Sequence, residues 1–105
     1  MDADPEFCPP DEVPPGILHA HLPIVNRKGL HARASAKFVQ TVERFDAVVT
    51  VTRCGETVGG RSIMGLLTLG AAKGTTITVT AEGEEAAASL AALTELVANR
   101  FGEEE

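Results

Sequence analysis

In the run Gly29-Leu30-His31-Ala32-Arg33-Ala34-Ser35, a histidine stands where a glycine-containing turn becomes a helix, and an arginine follows two residues on. A helix start has unpaired backbone N–H groups and the positive end of the macrodipole, which suits an anion. A neutral imidazole placed there can attack phosphorus through its free ring nitrogen, while the amides and Arg33 offset the charge that arrives. Phosphoryl transfer depends mainly on positioning and electrostatics, and these residues could supply both. A histidine that only caps the helix or fills a surface turn is the plainer reading of the same position.

The elements around this run follow from periodicity. After His31, residues Ala34, Phe38, Thr41, Val42 and Phe45 fall on one helical face, and Arg33, Lys37, Gln40 and Arg44 fall mostly on the other. This predicts a helix over 31–45, entered through the backbone freedom of Gly29. Residues 17–25 read as a strand, and Pro23 sends that strand to a sheet edge or a bulge, because proline donates no ladder hydrogen bond. The alternating stretch 47–53 predicts a second strand, Cys54-Gly55 a tight turn, and 56–59 the return strand of a hairpin. Ser62 then caps a helix of about two turns ending at Gly70. Residues 75–81 alternate again. The last helix begins near Glu82-Gly83, carries Glu84 and Glu85 in its first turn, and buries Ala86, Leu90, Leu93, Val97 and Phe101. The order β-α-β-β-α-β-α implies helices on one face of a mostly antiparallel sheet.

Composition narrows the function. A chain of 105 residues suits one domain, and 44% hydrophobic residues with no Trp or Tyr indicate an aliphatic core. No apolar run approaches the roughly 18 residues of a membrane span, and the acidic start is unlike a secretory signal, so the expectation is a cytoplasmic protein. Residues 1–16 hold five acids, no base and most of the prolines, and read as a disordered tail, native or in part vector-derived. Residues 103–105 read as a short acidic tail, which leaves 17–102 as the folded domain. That domain carries slightly more base than acid. Arg27, Lys28, Arg33, Lys37 and Arg61 lie near the proposed site or the second glycine-rich loop, as a solvated face or as a surface for acidic partners or phosphate. Cys8 and Cys54 fit no zinc spacing, and free thiols are expected. His19 and His21 share a strand face but lack a third ligand nearby, so no metal site and no cofactor is expected.

Gly29-Leu30-His31-Ala32-Arg33, together with Arg61-Ser62-Ile63-Met64-Gly65 and the following Leu69-Gly70, resembles the two signatures of the HPr family, the histidine-containing phosphocarriers of the bacterial phosphoenolpyruvate-dependent phosphotransferase system. The resemblance covers about residues 17–102. It implies an α+β open-faced β-sandwich, with four antiparallel strands in the order 1-4-2-3 and three helices on one side. It implies that His31 takes a phosphoryl group on Nδ1 from phosphorylated enzyme I and passes it to a IIA-type acceptor, with Arg33 neutralising the phosphate. Such a carrier is covalently modified in each cycle and is not an enzyme. Ser62 falls where many members are phosphorylated by the HPr kinase/phosphorylase. Ile63, Met64 and Leu67 would then face docking partners, with Lys37 and Arg27 beside them, while Leu66 and Leu69 are buried. Ala34 departs from the proline common after the motif arginine, and alanine is an excellent helix former.

Asn26-Arg27-Lys28-Gly29, Phe45-Asp46-Ala47 and Ala72-Lys73-Gly74 look closer to the nitrogen-related branch, NPr, than to sugar-uptake carriers. Two other classes stay open: a regulatory domain that docks partners without passing phosphate, and a nucleic-acid-binding α+β module. The second is disfavoured by the small basic surplus and the lack of aromatic residues among the basic ones. A small monomer is the default.

Overall fold

The computed structural model describes Cys8 and residues 11–105. In chain order the elements are β1 (Leu18–Pro23), α1 (Ala32–Val42), β2 (Val48–Arg53), β3 (Glu56–Gly59), α2 (Ile63–Thr68), β4 (Thr76–Glu82) and α3 (Ala86–Ala98), followed by a 3-10 turn at Arg100–Gly102. The four strands pair antiparallel in the order β1-β4-β2-β3. This is the expected open-faced α+β sandwich, and β1 is an edge strand, where Pro23 withholds no ladder bond from a second neighbour.

Alternation along the strands sets the two faces. Val49 and Val51 of β2 and Ile77, Val79 and Ala81 of β4 are buried beneath the helices. Between them, Thr50, Thr52, Thr76 and Thr80 face the open side, where Thr50 and Thr80 bond hydroxyl to hydroxyl. The helices close the core from above with Ala34, Phe38 and Val42 of α1, Leu66 of α2, and Leu93 and Val97 of α3. Each large side chain buried this way contributes roughly 1.5–3 kcal/mol.

The β2–β3 hairpin turns through Cys54 and Gly55, both at positive φ (53° and 79°), the two-residue turn whose twist matches the strands it joins. Here the expectation of free thiols is overturned. Cys54 is disulfide-bonded to Cys8, with Cα atoms 5.3 Å apart. The side-chain carboxylate of Asp11 also accepts the Gly55 N–H at 2.8 Å, so the segment before β1 is fastened to the hairpin tip. A contact spanning 46 residues leaves no trace in cysteine spacing. Most of the tail expected over 1–16 lies outside the described residues.

Element boundaries shift in physically traceable ways. Helix α1 ends at Val42, three residues early, and Phe45 is half-buried with the Arg44 guanidinium 5.4 Å above its ring. Glu84 and Glu85 precede α3 rather than filling its first turn. Glu85 instead takes the Asp46 amide on its carboxylate at 2.7 Å, which holds the β4–α3 loop to the α1–β2 loop. Leu90 is half-buried, with Ser89 taking the fully buried place beside it, and Phe101 is buried but lies past the end of the helix.

Candidate functional site

The loop between β1 and α1 is built to place one residue. Gly29 adopts φ +69°, and a Cβ at that position would stand 2.5 Å from the Ala71 carbonyl oxygen. The next amide, Leu30 N–H, donates to that same oxygen at 2.8 Å, so the entry to α1 is tied to the loop after α2. The start of the loop is pinned as well: Ile24 N–H donates to Thr75 O, and Gly74 N–H donates to Ile24 O. His31 follows in extended conformation as the N-cap of α1, and its carbonyl accepts the Ser35 amide at 2.8 Å.

The His31 ring does not cap the helix, which leaves the amides of the first turn without an intrahelical acceptor. Instead, Nε2 bonds to a carboxylate oxygen, Oε2 of Glu103. The other oxygen of that carboxylate accepts from Asn26 Nδ2 at 3.0 Å, and the same amide group donates to the Gly29 carbonyl at 2.8 Å. Burial pushes the Glu103 carboxyl up. The hydrogen bonds from Asn26 and His31, with the charges of His31 and Lys28, outweigh this and hold it below its ordinary value. Two residues further along, the chain is held twice to Arg27, whose backbone N–H donates to Glu105 O at 2.8 Å and whose guanidinium pairs with the Glu105 carboxylate at 3.0 Å.

Arg33 sits on the exposed side of the first helical turn, with no hydrogen bond or ion pair to any described residue. Lys37, one turn on, is half-buried, and its ammonium donates to the Phe101 carbonyl at 2.6 Å. Arg61 reaches the Phe45 carbonyl beyond the far end of α1, so the basic cluster divides between the two ends of that helix. Ser62 caps α2, its hydroxyl accepting the Gly65 amide at 3.0 Å. On α2, Leu66 is buried while Ile63 and Met64 are 40% and 71% exposed, and Leu67 is half-buried. Leu69, just past the helix, is buried as expected.

Comparison with known proteins places the chain in one family. The family model for the PTS HPr component phosphorylation site matches residues 18–99. The chain is 47% identical over 89 residues to the phosphocarrier protein HPr of Neisseria meningitidis, covering 85% of this chain and all of that one. The chain belongs to the HPr family. It is also 43% identical over 88 residues to the phosphocarrier protein HPr of Xylella fastidiosa, covering 84% of this chain and 99% of that one. Among solved structures, HPr from Thermoanaerobacter tengcongensis superposes with a TM-score of 0.80 at 36% identity, covering 84% of this chain and 99% of that one. As a member of this family, the chain is a phosphocarrier of the phosphotransferase system.

Within this HPr fold, sequence reasoning singled out His31 and Arg33 and missed the residues that surround the ring. Glu103 and Asn26 are 72 and 77 positions from their partners, beyond the reach of any local pattern. A signal was present in Phe101-Gly102: an aromatic residue just past a helix needs burial, and burying it returns the chain to the core instead of releasing it as a tail. His19 and His21 contact each other edge to face at 5.4 Å, with His21 bonded to Thr78 and His19 to Ile17. Among the described residues no group of three or more His, Cys, Asp or Glu side chains could hold a metal ion, and no helix is long and apolar enough to cross a membrane.

Proposed function

We propose that His31 accepts a phosphoryl group on Nδ1 from phosphorylated enzyme I and passes it to a IIA-type acceptor protein in the cytoplasm. The observation that carries this reading is the ring itself. Its Nε2 is engaged by Glu103, it stands at the N-terminus of α1, and the first-turn amides beside it have no intrahelical acceptor. Arg33, exposed on the same turn, supplies positive charge for the bound phosphate. Ile63 and Met64 form an apolar surface on α2 suited to docking donor and acceptor, with Leu67 at its margin and Arg27 and Lys37 as flanking cations.

Ser62 adds a regulatory site for an HPr kinase/phosphorylase. Its exposure and its place before α2 favour modification, and a phosphate there would put negative charge on the docking surface. Whether the acceptor belongs to sugar uptake or to nitrogen-type signalling sets the branch, and the carrier chemistry is common to both.

The test is intact mass after incubation with phosphoenolpyruvate and enzyme I, for the native chain and for His31→Ala, kept at neutral to basic pH. One acid-labile phosphoryl adduct on the native chain and none on the variant supports the carrier reading. No adduct on the native chain, with an enzyme I from each branch that charges a control carrier, replaces it with a domain that docks partners without passing phosphate.

A further inference from the structure

We infer that Cys8 and Cys54 are a site of reversible thiol oxidation, a latch whose disulfide straps the segment before β1 across the open face of the sheet and whose reduction releases it. The latch is separate from the phosphoryl site and uses none of its residues.

The bond joins two parts of the chain that lie far apart on the sheet. Cys54 stands in the turn between β2 and β3, while β1 begins at Leu18 on the opposite edge. The two points also lie at opposite ends. Leu18 pairs with Ala81 and Ala81 with Val49, near the start of β2, whereas Cys54 follows the last residue of that strand. The helices close the core on one face, so residues 11–17 cross the sheet on the other.

Burial marks the crossing. Thr78 points to the open side, between the core residues Ile77 and Val79, yet it is only 2% exposed. Thr80 points the same way and has the same kind of neighbours in the sheet, a histidine of β1 and a threonine of β2, and it is less buried. A cover lying above the sheet accounts for the difference. Asp11, Val13 and Ile17 of the crossing segment are themselves half-buried.

The turn suits thiol exchange. Cys54 is exposed, and a Cβ at Gly55 would meet nothing within 4 Å, so a thiol can approach the bond. Exposed disulfides are the readily reduced ones. The core does not depend on this one, since its buried cluster begins at Leu22 and contains neither cysteine. In the cytoplasm, where the carrier is proposed to act, such a bond is a redox sensor and not a permanent brace. The Asp11 carboxylate that accepts the Gly55 amide is brought to the turn by the closed latch.

Opening takes a dithiol reductant. One of its thiolates attacks the Cys54 sulfur, and the bond to Cys8 breaks with its electron pair leaving on the Cys8 sulfur, which takes a proton. The second thiolate then attacks the reductant's own sulfur in the mixed disulfide and frees Cys54, which is protonated in turn. Two electrons have moved: the reductant leaves as a disulfide and the latch as two thiols. A disulfide oxidant closes it by the reverse exchanges.

The test uses the full chain, opened with dithiothreitol, closed again with oxidised glutathione, and trapped with N-ethylmaleimide. Intact mass should move reversibly between no labelled thiol and two, and Cys8→Ser should carry one labelled thiol under reduction. On reduction, amide exchange should speed up about fivefold or more across residues 11–17 and at Gly55, while the β4 amides stay protected. Cys8→Ser should reproduce the reduced pattern. Absence of a Cys8–Cys54 disulfide after oxidation overturns the inference, as does one that resists dithiothreitol until urea unfolds the chain. Unchanged exchange over 11–17 on reduction removes the strap. Loss of β4 protection would make the bond a structural brace and overturn the latch. No reading needs a donor protein, so each stands whether or not His31 takes phosphate.

Discussion

The Lys37 ammonium donates a 2.6 Å hydrogen bond to the Phe101 carbonyl oxygen, fastening the middle of α1 to the turn that follows α3. This bond bears on the site without touching the histidine, since Glu103 lies two residues beyond Phe101. Lys37→Met keeps the aliphatic stem and removes the donor. It should lower stability by about 1–2 kcal/mol in urea titration, and amide exchange in residues 101–105 should speed up more than in β4.

Glu103 gives the protein a pH dependence of definite sign. Its carboxyl is held below the ordinary 4.5 in the folded state: burial raises it, and the Asn26 and His31 hydrogen bonds with the His31 and Lys28 charges more than compensate. A depressed folded value stabilises the fold above the unfolded value, and that contribution is lost as pH falls through 4.5 toward the folded value. Urea midpoints of the native chain and Glu103→Gln should therefore differ near neutrality and converge in acid. Curves that run parallel across this range would show that the carboxylate adds no stability.

Gly29 admits no substitute. Its φ of +69° disfavours any Cβ, and the Cβ would also press on the Ala71 carbonyl, which is backbone and cannot swing away. Gly29→Ala should cost more than about 2 kcal/mol and disturb the Leu30–Ala71 bond, readable as loss of protection at the Leu30 amide.

Two neighbours on α2 should separate packing from docking. Leu66→Ala empties a fully buried site and should cost about 2–5 kcal/mol in thermal or chemical denaturation. Met64→Ala, at a position 71% exposed, should change stability by less than about 0.5 kcal/mol while slowing phosphorylation by enzyme I. Equal transfer rates for Met64→Ala and the native chain would remove Met64 from the docking surface.

Ser62 offers a test on the same helix. Ser62→Ala removes the oxygen that accepts the Gly65 amide and should cost about 1 kcal/mol. Ser62→Asp retains an acceptor and should recover most of it, and denaturation of the two variants side by side checks the order.

Much of this was legible along the chain because local chemistry decided it. Pro23 named the edge strand, Cys54-Gly55 the hairpin turn, Gly29 the entry to α1, and the periodicity after His31 its buried face. The surroundings of the histidine were not legible, for a physical reason. A run of three glutamates reads as solvated charge unless something draws it inward, and what draws it inward is distant. Buried Asn26 needs an acceptor, the ring of His31 needs a carboxylate, and Arg27 pairs with Glu105. The start of α3 was misplaced in the same way, since Glu85 left the helix to bind the amide of Asp46 across the molecule.

The separation of His31 from Glu103 also orders events during synthesis. The histidine leaves the ribosome 72 residues ahead of its carboxylate, so a growing chain that has already formed α1 holds the ring without that hydrogen-bond partner. Only when the last turn has doubled back, against the resistance of Arg100 and Phe101 at left-handed φ, does the ring meet the carboxylate that bonds its Nε2. The surroundings of the histidine are thus a late property of the whole molecule, and a chain cut after Gly102 would keep its buried core while losing the carboxylate that meets the ring.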